Sequence, residues 1–170
     1  ASQAIARRPP ACSPGAPLLN RATDGLYPPG STFKVITSAA ALDSGKYTID
    51  SRFVDRGYCI EYGKLVKNFG YQNGPEVFGS VDFLQSLEHS INVPTVRLAQ
   101  LVGLSKVIEA AQLLGIHDKL QAYPSLALGT FEVTLEEMTA AYSVFANQGL
   151  AFTPFAFDRI RDANGDVAFD

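Results

Sequence analysis

The stretch "GLYPPGSTFKVITSAAALDSG", Gly25 to Gly45, sets two prolines and a glycine ahead of an apolar run, with Ser31 and Lys34 one helical turn apart where that run begins. Val35, Ile36, Ala39, Ala40 and Leu42 recur at helical spacing, and Gly45 suits the position after a helix end, so the segment predicts a helix from Ser31 to about Ser44. Residues three apart share a helix face. In the first turn, unpaired N–H groups and the helix dipole favour developing negative charge. A lysine whose pKa is lowered by burial or neighbouring charge acts as a base, and a serine paired with such a lysine needs no histidine. Taken alone, the spacing is met equally by a capping serine and a surface lysine, because so short a motif recurs by chance.

The 170 residues suffice for one domain with a real core and are too few for two comfortable ones. Hydrophobic residues at 46% against 18% charged describe a folded chain, not a disordered tail. With a net charge of −3 and no basic block, a nucleic-acid partner is not expected. No apolar run approaches the roughly 20 residues of a membrane-spanning helix, and "ASQAIARRPPACSPGAP" lacks the apolar centre of a signal peptide. Cys12 and Cys59 do not form a C-x-x-C, and whether they pair is open.

Residues 1–30 are rich in Pro, Ala and Gly and read as irregular structure with room for one short strand. From Ser51 to Phe69, β-forming residues broken by glycines predict short strands or a hairpin, followed by a loop at "FGYQNGPEVFG". Four helices are then predicted. Ser80 caps one that runs to about Glu88; Pro94 lies in the first turn of the next, ending at Gly103; Ser105 caps a third, ending at Gly115; Thr134, with Glu137 completing a capping box, opens a fourth that Gly149 ends. Met138, Ala141, Tyr142 and Phe145 are its expected buried stripe. Asn164-Gly165 predicts a two-residue hairpin turn. The strands are too few for a sheet of ordinary size.

Most chemical signatures are missing: there is no H-E-x-x-H, G-x-G-x-x-G, G-x-x-x-x-G-K-[ST] or G-x-S-x-G. His89 and His117 lie far apart without metal-ligand spacing, so neither a metal nor a cofactor is expected. Glu136 and Glu137 fit the first turn of a helix better than acid–base catalysis. The second polar constellation is "EHSINVPTVRLA", where Ser90 and Asn92 fall at the junction of two predicted helices. A loop there either aims both side chains into a cleft or merely satisfies helix ends.

S-x-x-K followed by S-x-N is the order found in class A β-lactamases and penicillin-binding proteins. "NRATDGLYPPGSTFKVITSAAALDSG" resembles the nucleophile region of penicillin-binding protein transpeptidase domains, and "VDFLQSLEHSINVPTVRLAQLVG" is similar to the family's second-motif region. "LALGTFEVTLEEMTAAYSVFANQG" resembles a later segment, especially of the bifunctional class A proteins. The likeness runs from about Asn20 to the end of the chain.

The resemblance implies an α+β fold of the penicillin-binding and serine β-lactamase type, here mostly its helical subdomain with few strands. It implies a serine D,D-transpeptidase that cross-links peptidoglycan stem peptides and is acylated by β-lactams. By position, Ser31 would be the nucleophile, Lys34 its base, Ser90 a proton relay to the leaving group, and Asn92 a holder of the substrate amide. The expected place of work is the extracytoplasmic face of a bacterial membrane. The third family motif, K-T-G, does not follow Asn92: Lys106 precedes Val107-Ile108, Lys119 precedes Leu120-Gln121, and no lysine lies beyond. Residues 1–170 therefore read as part of a transpeptidase domain: a lead-in to 30, the nucleophile helix and helical subdomain over 31–150, and a strand or hairpin segment over 151–170. A C-terminal remainder is the expected partner. A non-catalytic module that binds β-lactams or muropeptides, or a β-lactamase relative, is the alternative.

Overall fold

The computed structural model describes residues 18–70 and 74–169. In chain order these form β1 (Leu26–Tyr27), a 3-10 turn at Gly30–Phe33, α1 (Lys34–Asp43), β2 (Arg52–Asp55), β3 (Tyr58–Glu61), β4 (Lys64–Lys67), β5 (Gly79–Asp82), α2 (Phe83–Glu88), α3 (Asn92–Val102) and α4 (Leu104–Leu113). A second 3-10 turn at Pro124–Leu128 is followed by β6 (Val133–Thr134), α5 (Leu135–Ala146), β7 (Ile160–Arg161) and β8 (Val167–Phe169). The predicted α+β class holds.

Packing makes α1 the centre of the molecule. Ile36, Thr37, Ser38, Ala40, Ala41 and the side chain of Lys34 are all buried, so the helix is covered on most sides. Phe33, Ile36 and Ala40 meet Val96 and Ala99 of α3, Leu104, Val107 and Ala111 of α4, and Ala141 of α5 in one core that also takes in Ile116, Leu126 and Val133. Burying a side chain of the size of Phe33 or Ile36 contributes about 1.5–3 kcal/mol. A smaller cluster of Ala41, Phe83, Leu98 and Val102 joins α2 to the far side of α1 and α3.

The strands make four separate two-stranded antiparallel ladders, β1 with β6, β2 with β5, β3 with β4, and β7 with β8. β3 and β4 turn at Tyr62-Gly63, both in the left-handed region (φ 49° and 74°), as a tight hairpin turn requires. The β1–β6 pair ties the approach to the first 3-10 turn to the start of α5.

Several sequence expectations shift for identifiable reasons. The predicted helix from Ser31 begins instead as the 3-10 turn at Gly30, and Leu42 lies on its open side, 39% exposed. Ser80 is a strand residue; Asp82 caps α2 by accepting from Gln85 N at 2.7 Å, with Gln85 Oε1 returning the bond to Asp82 N. Ser105 lies inside α4, whose cap position is Gly103, the residue that also ends α3. The buried stripe of α5 is Ala140, Ala141 and Val144, with Met138 partly buried against the core; Tyr142 and Phe145 lie at its edge, 37% and 43% exposed, and Tyr142 turns its hydroxyl to Thr32 O. Asn164-Gly165 belongs to a longer loop. Gly165 N bonds Asp162 O, Asp162 N bonds Asp166 O, and only Gly165 has positive φ, the geometry of a type I turn with a glycine bulge. The Thr134–Glu137 capping box is present as expected. Cys59 is a buried free thiol; Cys12 and most of the lead-in lie outside the described residues.

Gly129 fixes the entry to α1. It is left-handed (φ 68°), its carbonyl accepts from Gly30 N at 2.9 Å, and a Cβ there would meet Gly30 O at 2.2 Å and Phe33 Cβ at 2.8 Å. Gly45 has the same φ of 68° but open space around it. Gly45→Ala is expected to cost about 1 kcal/mol from backbone strain alone. Gly129→Ala adds a clash with backbone and is expected to cost about 2–4 kcal/mol. Urea unfolding of both variants checks the difference; equal losses would show that the Gly30–Gly129 contact does not constrain the fold.

Candidate active site

Lys34 is the first residue of α1, and the burial of that helix takes its side chain out of water, leaving it 1% exposed. Its Nζ donates three hydrogen bonds: to Ser90 O at 2.5 Å, Ser90 Oγ at 3.0 Å and Asn92 Oδ1 at 2.6 Å. An ammonium has three hydrogens, and all three are satisfied. No carboxylate is among these partners, so nothing offsets desolvation, which lowers the Lys34 pKa from 10.5 to about 8. About one tenth of such an amine is neutral at pH 7, against roughly one in three thousand for an unperturbed lysine.

The place of Ser90 follows from how α2 ends. Ser90 N bonds Leu87 O, and Ile91 N bonds Ser86 O, the paired 5→2 and 6→1 bonds of a Schellman motif. That motif needs a left-handed residue, usually glycine, and here the position is held by Ser90 with φ 53°. A serine at that angle is strained by roughly 1 kcal/mol relative to glycine. The turn points both the carbonyl and the hydroxyl of Ser90 at Lys34.

Asn92 is the first residue of α3. While its Oδ1 accepts from Lys34, its Nδ2 donates to Lys67 O at the end of β4 at 2.9 Å. That second bond fixes which end of the amide faces the lysine. Ser31 lies in the 3-10 turn before α1, solvent-exposed, and among the described residues its hydroxyl makes no hydrogen bond. The turn is braced by Thr32 Oγ1 on Pro29 O at 2.8 Å, by Gly30 on Gly129, and by Tyr142 Oη on Thr32 O at 2.8 Å.

Of the four residues singled out from sequence, three are thus joined directly by hydrogen bonds, and Ser31 stands one turn from Lys34 at the open end of the cluster. His89 ends α2 against the ring of Phe78. Desolvation raises the carboxyl of Glu137, but N–H groups of His117, Thr134 and Asp118 and the Asp118 side chain together leave it below the ordinary range, as a capping carboxylate would be. Among the described residues, no group of three His, Cys, Asp or Glu is placed to hold a metal ion. A cavity of about 710 Å³ opens at the other end of α1, between Asp43, Lys106, Leu113 and Phe145, away from this cluster. Sequence reading missed Lys67 and Gly129. Both act through their carbonyls, and Gly129 also through its lack of a side chain. The positive-φ requirement at Gly129 is the one signal a glycine can carry.

Residues 2–168 match the family model described as the penicillin binding protein transpeptidase domain. Penicillin-binding protein 1A of Aquifex aeolicus is 38% identical over 152 residues, covering 87% of this chain and 20% of that protein. Penicillin-binding protein 2D of Bacillus subtilis is 32% identical over 157 residues, covering 89% and 22%. The chain thus spans about a fifth of the length of the curated relatives it matches. Among solved structures, penicillin-binding protein 1A from Haemophilus influenzae superposes with a TM-score of 0.76 at 30% identity, over 89% of this chain and 23% of that one. The D,D-transpeptidase domain of a peptidoglycan glycosyltransferase from Eggerthella lenta gives 0.79 at 25% identity, over 94% and 46%. On the family match over residues 2–168 and a shared fold, the chain belongs to the penicillin-binding protein transpeptidase family.

Proposed function

We propose that the chain carries the nucleophilic half of a serine D,D-transpeptidase, with Ser31 acylated by the D-Ala-D-Ala end of a peptidoglycan stem peptide and by β-lactams. The observation that carries this reading is the buried, triply bonded Lys34 with its pKa near 8. A structural lysine gains nothing from a neutral form; a general base requires one.

The hydrogen bonds give the proton a direction. Ser90 O and Asn92 Oδ1 can only accept, so they hold two N–H groups of the neutral amine. Ser90 Oγ alone among the three partners both accepts and donates. Neutral Lys34 takes the proton of Ser31 as Oγ attacks the carbonyl of the penultimate D-Ala. The tetrahedral oxyanion forms at the start of the helical run, where N–H groups and the dipole favour it. The C–N bond then breaks, and the proton passes from Lys34 through Ser90 Oγ to the leaving D-Ala nitrogen. An amine of a second stem peptide attacks the acyl-Ser31 ester, forms the cross-link and restores the serine hydroxyl. Asn92 presents its amide beside this path and orients the substrate peptide. The substrate places this work outside the cytoplasmic membrane; among the described residues no helix is long and apolar enough to cross one. In this reading residues 31–150 are the nucleophile-bearing helical part of the domain, and 151–170 lead toward the K-T-G strand of a C-terminal remainder that completes the cleft.

The test is incubation with a fluorescent penicillin, followed by intact mass, on the chain alone and joined to the C-terminal half of a related transpeptidase domain. A covalent adduct that disappears in Ser31→Ala is expected. Absence of an adduct in both forms would favour a non-catalytic module that binds β-lactams or muropeptides.

The acylation rate is expected to rise about tenfold per pH unit up to pH 8 and to level off above it, because only the unprotonated amine accepts a proton and the protonated form dominates below its pKa of about 8. Lys34→Ala is expected to lower the rate by about 10²–10⁴ and to remove this pH limb, with helical circular dichroism nearly unchanged. A pH profile that survives the substitution would assign the titration elsewhere.

Ser90→Ala and Ser90→Gly both delete the hydroxyl, and both are expected to lose acylation to the same degree. Ser90→Gly is expected to be more stable than Ser90→Ala by about 1 kcal/mol, since only glycine is relaxed at φ 53°. Thermal unfolding separates the two; equal stability would mean that the turn carries no strain.

A further inference from the structure

A helix of the length of α3 begins with several N–H groups that need acceptors, usually supplied by the side chain of the residue just before it. Here that residue is Ile91, which has nothing to offer, and no local side chain caps the helix. The acceptor comes instead from 25 positions upstream: Asn68 Oδ1 accepts from Val93 N at 3.0 Å. Asn68 is buried and follows Lys67, whose carbonyl holds Asn92 Nδ2. One dipeptide therefore grips both the backbone after Asn92 and its side chain.

Asn68 is itself held on every remaining side. Its Nδ2 donates to Asp55 Oδ2 at 2.8 Å and Glu76 O at 3.0 Å, and its backbone N to Gly57 O at 2.9 Å. Asp55, 1% exposed, also accepts from Gly57 N at 3.2 Å and Phe78 N at 2.9 Å. A buried carboxylate with only neutral N–H partners is costly to keep. Its three bonds join β2, the end of β4 and the strand approach to β5 at one point, directly behind the start of α3.

We propose that Asn68, anchored by Asp55, is a positioning residue for the transpeptidation site: it caps α3 from a distance and so holds Asn92 against Lys34. The proposal rests on the acyl-transfer reading only for its kinetic consequence; its geometric content is independent of that reading. Loss of the cap frees the first turn of α3, and the Asn92 amide then trades Lys34 and Lys67 for water.

Two measurements on the same variants test it. The first is the side-chain amide pair of Asn92 in ¹H–¹⁵N spectra, identified by its loss in Asn92→Ala. A dispersed pair in the unsubstituted protein that moves to solvent-like shifts in Asn68→Ala is expected; an unmoved pair overturns the proposal whatever the chemistry. The second is a double-mutant cycle on the rate of acylation by a fluorescent penicillin, on the chain joined to the C-terminal half of a related domain. Asn68→Ala is expected to slow acylation by about 10–100-fold alone and by less than about threefold in the Asn92→Ala background, because it acts through Asn92. Independent, multiplying losses would mark a purely structural residue and overturn it. If Asn68→Ala does not fold, Asp55→Ala serves: it buries no charge and removes the Oδ2 acceptor, leaving Asn68 Nδ2 only Glu76 O, so the same two changes are expected in weaker form and their absence counts against the proposal. Amide shifts that behave as expected in a protein that no β-lactam acylates would leave the positioning intact and remove the acyl-transfer reading instead.

Discussion

The structure turns on one amine taken out of water. Lys34 opens a largely buried helix, and its Nζ must be satisfied by groups that arrive from 56 and 58 positions further along. An unpaired charge there would cost several kcal/mol, so three acceptors on one short turn are a condition of folding as much as a feature of the site. This requirement fixes the distance between the start of α1 and the α2–α3 junction, and with it the crossing of α1 and α3 through which the larger core is built.

Around that amine, two positions depart from the usual local rule, and distant elements supply bonds that the local chain does not. Ser90 occupies a turn position suited to glycine. Ile91 stands where a capping side chain belongs, and Asn68 caps in its place. Gly30, whose N–H at the head of its turn has no partner within the turn, gives it to Gly129 O. Departures of this kind gather where function constrains a fold, and each costs about 1 kcal/mol or so that the helical core must offset.

This pattern also explains what sequence could and could not say. The four principal helices were readable because apolar spacing and glycine stops report burial and chain reversal locally, and the Thr134 box was read because both its members lie within one turn. Ser31, Lys34, Ser90 and Asn92 stand out in the sequence because two short motifs occur in a known order within long similar strings, and the structure joins the last three by hydrogen bonds. Ser80 and Ser105 were misread as caps because a serine before an apolar run looks the same whether or not a better-placed Asp82 or Gly103 does the work. Tyr142 and Phe145 fall at the edge of the buried face rather than within it; periodicity reports an apolar face but not where its edge lies. Asn68 and Asp55 gave no signal, since a cap supplied across 25 residues has no spacing rule.

The depressed pKa of Lys34 links the site back to stability. Below about pH 8 both the folded and the unfolded chain hold a proton on this lysine, and the folded state bears the whole cost of burying it. Between pH 8 and 10.5 the unfolded chain retains that proton while the folded chain has lost it, so this contribution shifts toward the folded state as pH rises. At neutral pH the cluster therefore weakens the fold that carries it. An apolar residue of similar length would avoid this cost; the proposed role of Lys34 as a base accounts for it, since a base must be buried enough to shed its proton and bonded enough not to unfold the helix it begins. The end of β4, the Asp55–Asn68 tie and the Ser90 turn all converge on this cluster, through Lys67 O on Asn92, Asn68 on Val93 N and Ser90 on Lys34.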